Sequence, residues 1–139
     1  MITTTFSLDF VNSLIGPVAG SWWLGLLADN PVNLSAASVY ENLTLLASPP
    51  NTGYGLISLA SWSWSPSAPT EIVGGVAAYF ENTGATTWQT VYGYFVAYRD
   101  QASDLKLAWF DGFSASIELP PGDKITFPDG VTFALRNKR

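Results

Sequence analysis

The sequence contains neither cysteine nor histidine, and no lysine or arginine precedes Arg99. The absence of histidine removes the commonest general base and metal ligand, and the absence of cysteine removes the thiolate nucleophile and any disulfide. Charged residues make up only 12% of the chain, whereas ordinary soluble domains have about 25%. These absences argue against catalysis and against a bound cofactor, and they predict a protein that acts through its contacts.

Uncharged polar residues and aromatic residues take the place of the missing charge. Phenylalanine, tryptophan and tyrosine together reach 14% of the chain. The cores of protein interfaces are similarly depleted in charge and enriched in aromatic residues. The composition therefore fits an interaction protein, although a serine- and threonine-rich β domain with an ordinary surface would have the same composition.

The charge balance and the apolar runs restrict the partners. The net charge is −5 and no basic stripe is present, so we do not expect nucleic acid as a partner. No apolar run approaches the length of about 20 residues that spans a bilayer, and residues 1–20 lack the basic segment of a secretory signal. We therefore expect no membrane partner and synthesis in the cytoplasm.

The spacing of turn signals predicts the fold. A chain of 139 residues is expected to form one domain, here residues 1–139. Short apolar or alternating segments are separated by proline, glycine and asparagine turns, which predicts a mainly β protein, an antiparallel β-sandwich or jelly roll of about eight strands. The predicted strands are residues 22–27, 56–64, 76–80, 88–98, 105–110, 114–119, 124–127 and 131–135.

Two segments carry helix signals, and the chain ends in a basic tail. Residues 1–20 are predicted to form a short N-terminal helix and arm, capped by Thr5 or Ser7 and stopped by Gly16 and Pro17. Ser38 and Glu41 fit a capping box that would begin one or two helical turns through residue 46. Residues 136–139 form the basic tail.

Five residues are candidates for an interface. Trp62 and Trp64 are flanked by serines near the end of a predicted strand, so they could stack on sugars, anchor a protein partner or pack in the core. Arg136, Lys138 and Arg139 could anchor the tail on an acidic partner, or they could simply be solvated.

The remaining tryptophans and the carboxylates have ordinary explanations. Trp22, Trp88 and Trp109 lie in strongly apolar segments and are predicted to pack in the core. The carboxylates fall mostly in turns and caps, and the spacing of Asp100 and Asp104 is too sparse for a calcium loop. We predict no catalytic, cofactor-binding or metal site.

Several segments, taken in order, resemble a family of small virion structural proteins of tailed bacteriophages. The resemblance lies in Trp22 to Leu27 (WWLGLL), Asn30-Pro31, Ser38 to Leu43 (SVYENL), Gly53-Tyr54, Val91 to Val96 (VYGYFV), Leu107 to Phe110 (LAWF), Leu119 to Asp123 (LPPGD) and Ile125 to Pro128 (ITFP). The chain departs from the family in its Trp-Trp pair, where tyrosine is usual, and at residues 110–112, where an acidic-basic pair is usual. These departures concern surface contacts rather than the fold.

The resemblance implies a β-sandwich virion component without enzymatic activity. Our leading expectation is a capsid decoration (cement) protein on the capsid surface of the virion, a homotrimer that clamps the major capsid protein. The alternative is a tail- or baseplate-associated adaptor or a receptor (glycan)-binding module that uses Trp62 and Trp64. A hydrolase ranks last.

Overall fold

The computed structural model describes residues 1, 3–5, 22–58, 63–64, 70–73, 78–99, 104–127 and 133–135. The fold is mainly β, as predicted, and all the strand pairs found are antiparallel. Among the described residues, six strands have four or more residues and three are shorter, so the predicted number of about eight is matched only in part. The strands are β1 (Trp22–Leu27), β2 (Ile57–Ser58), β3 (Ser63–Trp64), β4 (Thr70–Val73), β5 (Ala78–Glu81), β6 (Val91–Arg99), β7 (Leu105–Ile117), β8 (Lys124–Phe127) and β9 (Phe133–Leu135).

Within the described ranges the strands form three sheets. The largest has the order β2-β1-β6-β7, the second has the order β3-β4-β9, and β5 pairs with β8. Strand β6 is central in the largest sheet, which explains why it is apolar on both faces. Short runs bounded by turns, such as β1 and β8, lie where the sequence predicts them, whereas β4 was not predicted.

The centre of the largest sheet, formed by β1, β6 and the first half of β7, is covered on both faces. One face packs against the β5–β8 pair, and the shared core contains Trp22, Leu24, Leu26, Ala78, Phe80, Val96, Tyr98 and Ile125. The other face is covered by residues 28–45, whose Leu34, Tyr40, Leu43 and Leu45 pack over Leu27, Phe95, Ala97, Leu107 and Phe110. Trp22 and Trp88 are buried as predicted, and Trp109 is half-buried against the first core.

The prediction of separate strands at residues 105–110 and 114–119 is wrong, because β7 runs through both. Asp111 and Gly112 lie between the two predicted strands, and both pair with β6, with Gly112 opposite Gly93. A Cβ on Gly93 would lie 2.2 Å from the Asp111 carbonyl oxygen. A glycine at position 93 therefore lets the two strands approach closely enough to continue the hairpin.

The two helix predictions have different outcomes. The second predicted helix is a single 3₁₀ turn, Tyr40–Asn42, and its predicted capping box is wrong. The Ser38 hydroxyl instead accepts a hydrogen bond from the Ser35 N–H, and the Asn42 side chain accepts one from the Val39 N–H. Residues 4 and 5 are helical, but residues 6–20 of the predicted N-terminal helix and arm lie outside the described residues.

Candidate functional site

The five interface candidates cannot be assembled into a site. Trp62, Arg136, Lys138 and Arg139 lie outside the described residues. Trp64 lies in β3, where its backbone pairs with that of Ile72. A surface that can bind a partner has to be sought elsewhere in the described chain.

Three loops meet at one end of the first core, and we call their joint surface the loop end. It consists of residues 47–53, 83–89 and 120–122. None of these residues is ionisable, and nearly all of them are exposed. The nearest charged residues in sequence, Glu81, Glu118 and Asp123, flank the segments.

Asn51 joins the first loop to the second. The Asn51 side chain is buried, with 1% exposure. Its oxygen accepts a hydrogen bond from the Gln89 N–H at 2.8 Å, and its Nδ2 donates to the Ala47 carbonyl at 3.0 Å and to Gln89 Oε1 at 2.9 Å. The Trp88 indole Nε1 also donates to the Thr52 carbonyl at 3.0 Å. Three of these hydrogen bonds fix the two loops to each other, and the bond to Ala47 holds the first loop in shape.

Asn82 joins the second loop to the third. Its side chain is equally buried. Its oxygen accepts from the Gly84 N–H at 2.9 Å, while its Nδ2 donates to the Thr86 and Leu119 carbonyls, both at 2.8 Å. The Gly122 N–H donates to the Asn82 carbonyl at 2.8 Å. Burying an amide is favourable only when its polar atoms are bonded, and here both the oxygen and the nitrogen are.

The two asparagines begin identical tripeptides that pack against each other. The sequence Asn-Thr-Gly occurs at residues 51–53 and again at residues 82–84. A Cβ on Gly53 would lie 2.3 Å from Thr83 Oγ1, and a Cβ on Gly84 would lie 2.8 Å from Thr52 Cβ. Gly53 also has a φ of +92°, which favours glycine. Each turn therefore occupies the space that a side chain would need on the other.

Aromatic side chains support the loop end from below. The Tyr54 ring stacks on Phe80 with a centroid distance of 5.7 Å, and it meets Trp88 edge-on at 5.8 Å. The Tyr54 hydroxyl accepts a hydrogen bond from the Leu26 N–H at 3.1 Å. Burial raises the pKa of Tyr54 to about 12, so this phenol stays neutral. The loops thus rest on a rigid apolar base.

A separate cleft of about 450 Å³ holds the charged side chains of Glu41, Asp104 and Lys106 beside Tyr40. Burial, and then the charge of Glu41, raise the pKa of the Tyr40 phenol. The phenol is therefore neutral at pH 7 and can serve as a hydrogen-bond group rather than as a nucleophile. The described residues include no cluster of three or more side chains suited to hold a metal ion.

Comparisons with protein-family models and with curated proteins returned no match for this chain. None of the helical segments in the described ranges has the length and apolarity needed to cross a bilayer.

The loop end was not predicted from the sequence, although turns of proline, glycine and asparagine were predicted between the strands. The bonds that assemble it join residues far apart in the chain, such as Asn51 with Gln89 and Asn82 with Leu119. The repeated Asn-Thr-Gly tripeptide is the signal that could have indicated paired turns. The loop end presents hydroxyls, prolines and backbone groups in fixed positions. Such a surface is suited to binding a partner.

Proposed function

We propose that this chain is a non-enzymatic structural protein of a bacteriophage virion. Its role is that of a decoration (cement) protein, which binds and stabilises the shell of the major capsid protein from the outside. The loop end is its docking surface. The observation that carries the proposal is a preorganised surface of three loops without an ionisable side chain.

Rigidity and neutrality both favour docking on a protein shell. Ordering loops and desolvating charges are major costs of association. At the loop end the buried Asn51 and Asn82 already fix the loops, and the residues of the loops themselves carry no charge that has to be desolvated. A protein that binds only the assembled shell stabilises that shell by mass action.

The proposal extends to the architecture and the oligomeric state. We propose that the three sheets form a β-sandwich or jelly roll, which is supported by the packing of the β2-β1-β6-β7 sheet against the β5–β8 pair. We also propose a homotrimer on the shell, a closed ring in which each subunit buries an equivalent surface and leaves its loop end free for the shell. Analytical ultracentrifugation tests the trimer.

Lysine substitutions test the docking surface. Ala85 and Thr87 are exposed at the loop end, whereas Thr126 is exposed on β8. Ala85→Lys and Thr87→Lys each place a charge where the proposal requires desolvation, so each should weaken binding to undecorated heads roughly tenfold or more. Thr126→Lys is the matched control and should bind like the parent chain.

Sedimentation of the protein with purified heads measures this binding. If both loop-end variants bind as well as the control, the loop end is not the docking surface. If the parent chain itself fails to bind heads and is found on tails instead, the head assignment is wrong.

A further inference from the structure

Residues 28–44 form a compact loop whose two ends meet. The Ala28 N–H donates to the Thr44 carbonyl at 2.8 Å, and Leu27 and Leu45 form an antiparallel bridge. Surface loops closed in this way and packed by their own side chains are frequently functional. The mouth of this loop opens into a polar cleft of about 380 Å³, lined by Leu27, Asp29, Asn30, Asn33, Leu34, Ser38, Asn42 and Thr44.

The orientation of two amides in this cleft is fixed by the backbone. The Asn30 side-chain oxygen accepts from the Val32 N–H at 3.1 Å, and the Asn42 side-chain oxygen accepts from the Val39 N–H at 2.8 Å. The Nδ2 of each amide therefore makes no hydrogen bond to any of the described residues. Both asparagines are exposed, so these nitrogens are available as donors to a ligand.

Acceptor groups and an apolar wall complete the cleft. One carboxylate oxygen of Asp29 accepts from the Asn30 N–H at 2.8 Å, which leaves the other oxygen for a ligand. Thr44 adds an exposed hydroxyl, and the half-buried Leu34 adds a small apolar surface. The cleft thus combines amide donors, a carboxylate acceptor and a hydroxyl beside one leucine side chain.

We propose that this cleft binds a neutral pyranose sugar. Neighbouring hydroxyls of a pyranose both donate and accept, so one can donate to Asp29 while the next accepts from Asn30 or Asn42, and a C–H group of the ring can lie on Leu34. A metal ion is disfavoured because the amide oxygens are already used. An anion is disfavoured because Asp29 is the only ionisable side chain in the lining. The volume is at the lower end of the range of small-molecule sites, roughly 300–1,000 Å³.

The experiment is a ¹H–¹⁵N NMR titration of the full chain with methyl glycosides of glucose, galactose and mannose. At least one glycoside should shift the signals of Asn30, Asn42 and Thr44 in a saturable manner. N-acetylneuraminic acid, which is anionic, and acetylglycinamide, a probe for peptides, should not shift them. A second titration uses a linear polysaccharide built from the sugar that binds. If the polysaccharide binds more tightly per site than the methyl glycoside does, the natural ligand is a polymer rather than a free sugar.

Two near-isosteric variants test the assignment of the cleft. Asp29→Asn and Thr44→Val should each weaken binding roughly tenfold, because each removes one hydrogen bond to the sugar. Thr126→Val, on exposed β8, is the matched control. No saturable shift with any glycoside, shifts confined to other residues, or equal binding by all three variants would overturn the proposal. The cleft shares no residue with the loop end, so its failure leaves the docking proposal standing.

Discussion

Replacing Asn82 with aspartate tests whether buried hydrogen bonds hold the loop end together. The side chain keeps its shape, but the nitrogen that donates to the Thr86 and Leu119 carbonyls at 2.8 Å becomes an oxygen. Two hydrogen bonds of about 1 kcal/mol each are lost, and a charged acceptor is buried against two carbonyl oxygens, which costs about 1–3 kcal/mol more. We expect Asn82→Asp to lower the free energy of unfolding by about 3–5 kcal/mol at pH 7.

The loss should depend on pH. Burial and the two carbonyls raise the folded-state pKa of the new carboxyl above its unfolded value of about 3.9. Its protonated form can donate to one carbonyl, so the variant is relatively more stable below pH 4 and loses that stability as the pH rises through the folded-state pKa. Asn33→Asp adds the same charge at an exposed position and should change stability by less than about 0.5 kcal/mol.

Urea unfolding followed by tryptophan fluorescence, at pH 4 and at pH 7, measures both effects. The reasoning is refuted if Asn82→Asp lies within about 1 kcal/mol of the parent chain at pH 7, or if its loss is the same at the two pH values.

Two further predictions concern Tyr54, which packs beneath the loop end, and Gly93, which lies where β6 approaches β7. Tyr54→Phe leaves the Leu26 N–H without its acceptor and should cost about 1–3 kcal/mol in urea unfolding. The folded-state pKa of Tyr54 is about 12 and the unfolded value is about 10. The parent chain should therefore lose stability between pH 10 and 12, and Tyr54→Phe should lose less over that range. An equal fall of the unfolding free energy with pH in the two proteins would contradict this. Gly93→Ala places a methyl group 2.2 Å from the Asp111 carbonyl oxygen and should lower the thermal midpoint by an amount equivalent to about 2 kcal/mol or more. Gly55→Ala, where the added methyl group has no neighbour within 4 Å, is the control and should leave the midpoint nearly unchanged. Similar midpoints for the two variants would count against the close approach of β6 and β7.

The sequence pattern predicted correctly those strands whose ends are set by neighbouring turn residues. The run of six residues in β1 and the four residues of β8, each bounded by turn residues, form strands with the predicted bounds. The break predicted between residues 110 and 114 is wrong because residues 111 and 112 pair with β6. Gly93, which permits that pairing, lies in another strand, so the local pattern does not reveal it.

The candidate sites depend on contacts that one sequence does not reveal. Proline, glycine and asparagine identified the turns around Asn51 and Asn82, but the partners of these side chains lie 38 and 37 residues away, at Gln89 and Leu119. In the polar cleft the bonds that orient Asn30 and Asn42 are local, but the pairing of Ala28 with Thr44 that closes the loop joins residues 16 positions apart.

The most direct measurement of the central claim is a cryo-electron microscopy reconstruction of the virion that carries this chain. The proposal predicts density for the β domain on the outer surface of the head, repeated at equivalent positions over the shell, with residues 47–53 and 83–89 facing the major capsid protein. Density confined to the tail, or a head surface without this domain, would contradict it.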